Sequence, residues 1–169
     1  MKRNRNYLKS IFTIVFYTIG FLFCFSCVYF NTFYNAETSF EDAEKIIDES
    51  PLLEAGEIPP QAKKLLGESI DNCNIVLEKY PTSKYVDDAF YIISKARFLR
   101  NEYALSVRYI DRLIGEYPQS EFVQESLILR AYAHFRIGLI DSTQEQLDAI
   151  ELLPKITRKE KFLLQNLKA

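Results

Sequence analysis

The segments YPTSKYVDDAF (Tyr80–Phe90) and YPQSEFVQESL (Tyr117–Leu127) are two copies of one pattern, 37 residues apart. The same offset runs through the sequence around them. Ser69, Ser106 and Thr143 form a column of small residues. Leu66, Tyr103 and Ile140 form an apolar column, as do Cys73, Ile110 and Leu147, and again Val76, Leu113 and Ile150. Within each copy these positions step by 3 or 4 residues, which places them along one face of a helix. A second set pairs Val86 with Val123, Phe90 with Leu127, Ala96 with Ala133 and Phe98 with Phe135, so each copy holds two helices. Ser83 and Ser120 stand where an N-cap would open one of these helices. Pro81 and Pro118 follow the end of the helix before, where proline is tolerated.

Outward from the repeat, the whole body reads as helical. An entry helix is expected over about Thr32–Glu49, with Phe33, Ala36, Phe40, Ala43 and Ile47 as its apolar stripe. The stretch SPLLEAGEIPP (Ser50–Pro60) holds three prolines and a glycine and reads as a loop. Further helices are expected over 61–79, 83–100, 102–116, 120–137, 140–152 and 156–168. Connections this short imply antiparallel neighbours, hence helical hairpins stacked in an all-α array.

Composition narrows the chemistry. Only 5 Gly and 6 Pro stand against 13 Phe and 11 Tyr in 169 residues, which disfavours a turn-rich β-sandwich. One His and three Cys provide no tightly spaced cluster for zinc, and no metal is expected. The net charge of −2 gives nothing with which to neutralise a phosphate backbone, so no nucleic-acid partner is expected. There is no glycine-rich phosphate loop, no C-x-x-C and no H-E-x-x-H. The carboxylate neighbours Asp87–Asp88 and Glu41–Asp42 point in different directions on a helix and read as solvated charge. His134 has no Ser or Cys partner in a recognisable motif, and Cys73 shares its column with Ile110 and Leu147, a core position. The chain is expected to be no enzyme, with no cofactor and no small-molecule substrate.

The N-terminus is built differently. Lys2, Arg3, Arg5 and Lys9 precede the apolar run IFTIVFYTIGFLFCF (Ile11–Phe25), the layout of an export signal. Ser26 and Cys27 follow, and a small residue before cysteine resembles the lipobox of bacterial lipoproteins, whose cysteine is acylated. Cys24 is the poorer acceptor, because bulky Phe23 precedes it. The division expected is a signal peptide over 1–26, a lipidated Cys27 with an aromatic tether over 27–31, and a repeat domain over 32–169. The other reading is an uncleaved single-pass anchor, since the apolar run from Ile11 to Phe30 is about long enough to span a bilayer. Both keep the four basic residues on the cytoplasmic side and export the rest. Cys73 is then a lone thiol in an oxidising compartment, expected to be buried. The aromatics of VYFNTFYNA (Val28–Ala36) suit a membrane–water interface, although Phe33 and Phe40 also serve the entry-helix stripe.

Two helices per unit near this period resemble tetratricopeptide repeats. The Y-P-x-S-x-Y-x-x-D-A run at Tyr80–Ala89, the 37-residue spacing and IDRLI at Ile110–Ile114 are similar to the BamD family, lipoproteins of the outer-membrane β-barrel assembly machinery. Related periplasmic repeat proteins that work beside the Tol system share the Y-P-x-S motif. The resemblance is to a short, divergent version. It implies a solenoid of hairpins and a scaffold for envelope or outer-membrane proteins, held by an acyl anchor, with the periplasmic face of the outer membrane as its location. The other functions in view are a Tol-associated or cell-wall coordination factor, and a chaperone-like module that captures peptide.

The resemblance also implies where a partner sits, because the first helix of each unit lines the concave groove of such repeats. Lys84, Asp88, Tyr91, Lys95 and Phe98 fall on one stripe, with Glu121, Glu125, Ile128, Tyr132 and Phe135 as their equivalents. Tyr91, Lys95, Phe98, Ile128, Tyr132 and Phe135 are the candidate groove residues. As a partner surface, Tyr91, Lys95, Ile128 and Tyr132 are expected to be largely exposed in the free protein.

Overall fold

The computed structural model describes residues 30–50, 57–139, 143, 146 and 147. All regular structure among them is helical. The helices are α1 (residues 30–48), α2 (Pro60–Lys79), α3 (Val86–Leu99), α4 (Tyr103–Glu116) and α5 (Val123–Arg136). Residues 143, 146 and 147 are helical as well. Signal residues 1–26, Cys27 and the expected helix 156–168 lie outside the described residues, as do Ile140 and Ile150. The tether expected over 27–31 ends differently, since Phe30 and Asn31 already belong to α1.

Each helix starts and stops for local reasons that recur with the repeat. At the end of α2 the Tyr80 N–H donates to Val76 O (2.9 Å), and at the end of α4 the Tyr117 N–H donates to Leu113 O (2.8 Å). Pro81 and Pro118 cannot continue a helix, and each takes the second position of a turn. The turns close by Ser83 N–H to Tyr80 O (2.9 Å) and Ser120 N–H to Tyr117 O (3.0 Å). The Y-P-x-S motif is therefore a corner. Its serine is no α-helix N-cap, which corrects the sequence expectation. Ser83 Oγ accepts from Tyr85 N–H (2.9 Å) and Ser120 Oγ from Phe122 N–H (3.3 Å), holding a turn before the helix. The α-helices begin only at Val86 and Val123, three residues later.

The other ends also match. Asn101 and Gly138, again 37 apart, have left-handed backbones (φ 62° and 83°) just past α3 and α5. Glu102 N–H donates to Arg97 O (2.9 Å) and Leu139 N–H to His134 O (2.9 Å). Asn101 N–H reaches Phe98 O (2.9 Å) and Gly138 N–H reaches Phe135 O (3.1 Å), completing the same two-bond Schellman closure in both copies.

Packing follows the columns. Phe33, Ala36, Phe40, Ala43 and Ile47 of α1 are all buried against Ala62, Leu66, Ile70, Cys73 and Val76 of α2 and against α3. Three residues connect α3 to α4, so the chain must reverse between these adjacent helices. Both pack closely, and α5 then rests on α4 and, less extensively, on α3. The small-residue column marks where helices press together. Ser69 Oγ donates to Ala36 O of α1 (2.7 Å), and Ser106 Oγ to Ser94 O of α3 (2.8 Å). A larger side chain there would push the helices apart. Cys73 is fully buried and free. Burial pushes its thiol far above the ordinary range, with the Asp88 charge adding to this and a Ser69 hydrogen bond opposing it. It has no thiolate character at neutral pH.

Candidate functional site

A cleft of about 180 Å³ opens between α1, α3 and the residue that precedes α5. Its apolar floor is Phe33, Phe40, Tyr91, Ile92 and Phe122, and its acidic wall is Glu37, Glu41, Glu44 and Asp88. That volume is about six waters at roughly 30 Å³ each, enough for one large side chain.

The floor is built from two matching aromatic joints. Tyr85 stacks on Phe33 of α1 (centroids 4.4 Å, planes 9° apart), and Phe122 stacks on Tyr91 of α3 (4.5 Å, 14°). Tyr85 and Phe122 are equivalent in the repeat, each five residues after the corner tyrosine. Each corner therefore lays a ring on the outward face of the preceding first helix. The signal for this in the sequence is an aromatic at one position of both copies, Tyr85 and Phe122.

These joints overturn part of the exposure expected of the groove candidates. Tyr91 is only 8% exposed and Ile128 only 3%. Tyr91 lies under Phe122, and Ile128 packs with Ala131 and Leu147. The run Ala89–Ser94 is buried all round, since α3 is enclosed by its neighbours, and a stripe opposite Val86, Phe90 and Ile93 is not a solvent face. Lys95, Phe98 and Tyr132 are half-buried, and Phe135 is 44% exposed. The structure joins some of the six candidates, since Tyr132 packs on the cluster that holds Ile128 and also meets Phe98, while Lys95 and Tyr91 form a second pair. Lys95 sits over Tyr91 (5.3 Å to the centroid), Phe98 meets Tyr132 edge-on (6.5 Å), and Ile128 belongs to the cluster beside Leu147.

Lys95 is the tie across this face. Its ammonium lies 3.2 Å from Glu44 of α1 and 4.0 Å from Glu125 of α5, and also over the Phe40 ring at 5.2 Å. A cation over two rings and between two carboxylates loses little by partial desolvation. The rest of the wall is less balanced. Burial raises the Asp88 carboxyl to about 6, and the charges of Asp87, Glu121 and Glu37 add to the rise against a backbone hydrogen bond that lowers it. Burial and the Glu125 carboxylate also raise the Tyr91 hydroxyl, keeping it neutral.

His134 is half-buried, with Nδ1 2.6 Å from Gln146 Nε2. Burial first, then Arg130, lowers its pKa against the opposing Asp111 charge, so the ring is neutral at pH 7. Among the described residues no group of three His, Cys, Asp or Glu side chains is placed to hold a metal ion. Among them, too, no helix is long and apolar enough to cross a membrane. In the aromatic segment Phe33 is core, as is Phe40 beyond it, whereas Phe30 and Tyr34 are exposed and stack on each other at 6.1 Å. No protein-family model and no curated protein matches the chain.

Proposed function

We propose that the chain is a lipid-anchored envelope scaffold that holds a partner protein on the face shared by α1, α3 and α5. The observation that carries this reading is the aromatic-floored cleft between α1 and α3, open to solvent and walled by charge. Concave sites with an apolar floor and a few polar groups are where ligands seat. The three helices are the first members of successive hairpins, the position that faces the groove in a tetratricopeptide-like solenoid. The repeated corner and the repeated aromatic joint support such a stack, because each hairpin meets the next through the same residues. The resemblance to BamD-type lipoproteins supplies the cellular setting, outer-membrane protein assembly at the periplasmic face. Anchoring rests on Cys27, and α1 already includes residue 30 and carries exposed Phe30 and Tyr34, which suits a body held close to headgroups.

Site-specific photo-crosslinking in intact membranes tests the scaffold. A photoreactive residue at position 41, on the cleft wall, should give a discrete adduct that the same residue at exposed position 78 of α2 does not. Equal labelling from both positions, or from neither, removes the groove from the reading. Mass analysis of the extracted protein should show an acylated N-terminal Cys27, and an intact Met1 terminus would replace the lipid with a membrane-spanning anchor.

A further inference from the structure

A cation already borders the cleft. Lys95 sits beside its Glu44 end, between Glu44 and Glu125, with its ammonium over the rings of Phe40 and Tyr91. The other end has the same construction without the lysine. Glu37, Glu41 and Asp88 line it beside Phe33, Ile92 and Phe122, and none of the three carboxylates has an ion-pair partner among the described residues. No basic side chain lines the cavity. Burial is the main reason the Asp88 carboxyl is raised, and the charges of Asp87 on α3, Glu121 ahead of α5 and Glu37 on α1 add to it.

Resting on the scaffold reading above, we infer that this cleft takes a partner segment in which an apolar side chain is flanked by lysine or arginine. The apolar group seats on the aromatic floor, which has room for one large side chain. The flanking cations meet Glu37, Glu41 and Asp88 and repeat, between proteins, the arrangement that Lys95 makes within the chain. Complementary charge of this kind chooses the partner and speeds its arrival more than it adds affinity. An acidic segment is rejected by the same wall.

The test uses the full-length chain in neutral detergent, with micelles alone as the blank, and two labelled twelve-residue probes followed by fluorescence anisotropy. One probe alternates lysine with leucine and the other alternates glutamate with leucine. The lysine–leucine probe should bind and the glutamate–leucine probe should not. The double variant Glu37→Gln, Glu41→Gln should weaken binding about tenfold with an unchanged melting curve, and Glu78→Gln should leave it unaltered. Binding of both probes alike, or indifference to the double variant, overturns the inference. If neither probe binds but position 41 still crosslinks a partner, the groove stands and its charge preference falls; if both results fail, the scaffold reading falls too. The chain's own basic stretch around Lys159 and Lys161 is the competing occupant. Tighter probe binding by Lys159→Gln, Lys161→Gln would show that it fills the cleft, and would overturn the assignment to a partner.

Discussion

Helices α3 and α5 are equivalent by sequence, open from the same corner and close with the same cap, yet they bury unequal faces. In α3 eight side chains are buried, including Val86, Phe90, Tyr91, Ile92 and Ile93. In α5 only Ser126, Ile128, Ala131 and Ala133 are, and three of those are small. Local sequence sets where a helix begins and ends, whereas neighbours set how much of it leaves water. α3 packs on α2 and α4 and touches α1 and α5, so nearly its whole circumference is covered. Stability should therefore be graded along the stack, with its maximum at α3.

The sharpest way to break this comparison is at one repeat position. Phe90 is fully buried between Leu113, Val86 and the Tyr109 and Tyr117 rings, and its equivalent Leu127 is half-buried. Phe90→Ala should cost about 3–5 kcal/mol in chemical denaturation, as large cavities in a core do. Leu127→Ala should cost on the order of 1 kcal/mol, the ordinary loss at a partly exposed site. Equal losses would mean that the two hairpins share one core of uniform density.

The next effect belongs to the joints. Tyr91→Ala removes the ring beneath Phe122 and one wall of the Lys95 site, and should cost about 2–4 kcal/mol. Tyr132→Ala, at a half-buried position beside Phe98 and the Ile128 cluster, should cost about 1 kcal/mol. Thermal melting of the two variants separates them, and a Tyr91 variant that melts like the parent would return that ring to the surface.

How legible this was depended on which physical signal a residue carried. Periodicity gave the five described helices to within a few residues, and it gave the buried columns Leu66, Cys73, Val76, Ile110 and Leu113, because helix phase alone places them against a neighbour. The stripe of α1 was equally plain, five apolar side chains at helical spacing on one face. The burial of Tyr91 and Ile128 does not show in the sequence, because a stripe polar at Lys84, Asp88 and Lys95 suggests water. Phe122 covers Tyr91 and Leu147 packs on Ile128, and both contacts come from segments that the helix's own periodicity does not show. The acidic wall was also out of reach. Glu37, Glu41 and Glu44 stand more than forty residues from Asp88 in sequence, and only the packing of α1 on α3 brings them to one cleft.

Asp88 carries the third effect, in the opposite direction. Its folded-state carboxyl titrates near 6 against an ordinary value of 3.8, so the native chain holds the proton more tightly than the unfolded one. The stability this contributes is full below pH 3.8 and is lost as pH rises through about 6. The group is half-exposed, and solvent screening limits the loss to on the order of 1 kcal/mol. Asp88→Asn should therefore be about 1 kcal/mol more stable than the parent at pH 7, with the difference vanishing near pH 4. A constant difference across that range would show that the gain comes from packing and not from charge.

The smallest effect lies at the two left-handed residues that end α3 and α5. Both have the same Schellman hydrogen bonds, so any difference between them comes from the side chain. Gly138 pays no Cβ penalty at φ 83°, and no atom within 4 Å would meet an added Cβ. The cost of Gly138→Ala is then backbone strain alone, about 1 kcal/mol. Asn101 occupies the same conformation with a side chain that tolerates it, and its Oδ1 accepts from the Tyr103 hydroxyl at 2.6 Å. Asn101→Gly relieves the strain but gives the unfolded chain more freedom and deletes that hydrogen bond. These terms are each about 0.5–1 kcal/mol and oppose one another, so the net change should stay within about 0.5 kcal/mol. Paired urea titrations of Gly138→Ala and Asn101→Gly measure both. A gain well above 1 kcal/mol for Asn101→Gly would show that the asparagine is strained, and that the first cap, unlike the second, is held in place by the packing of α3.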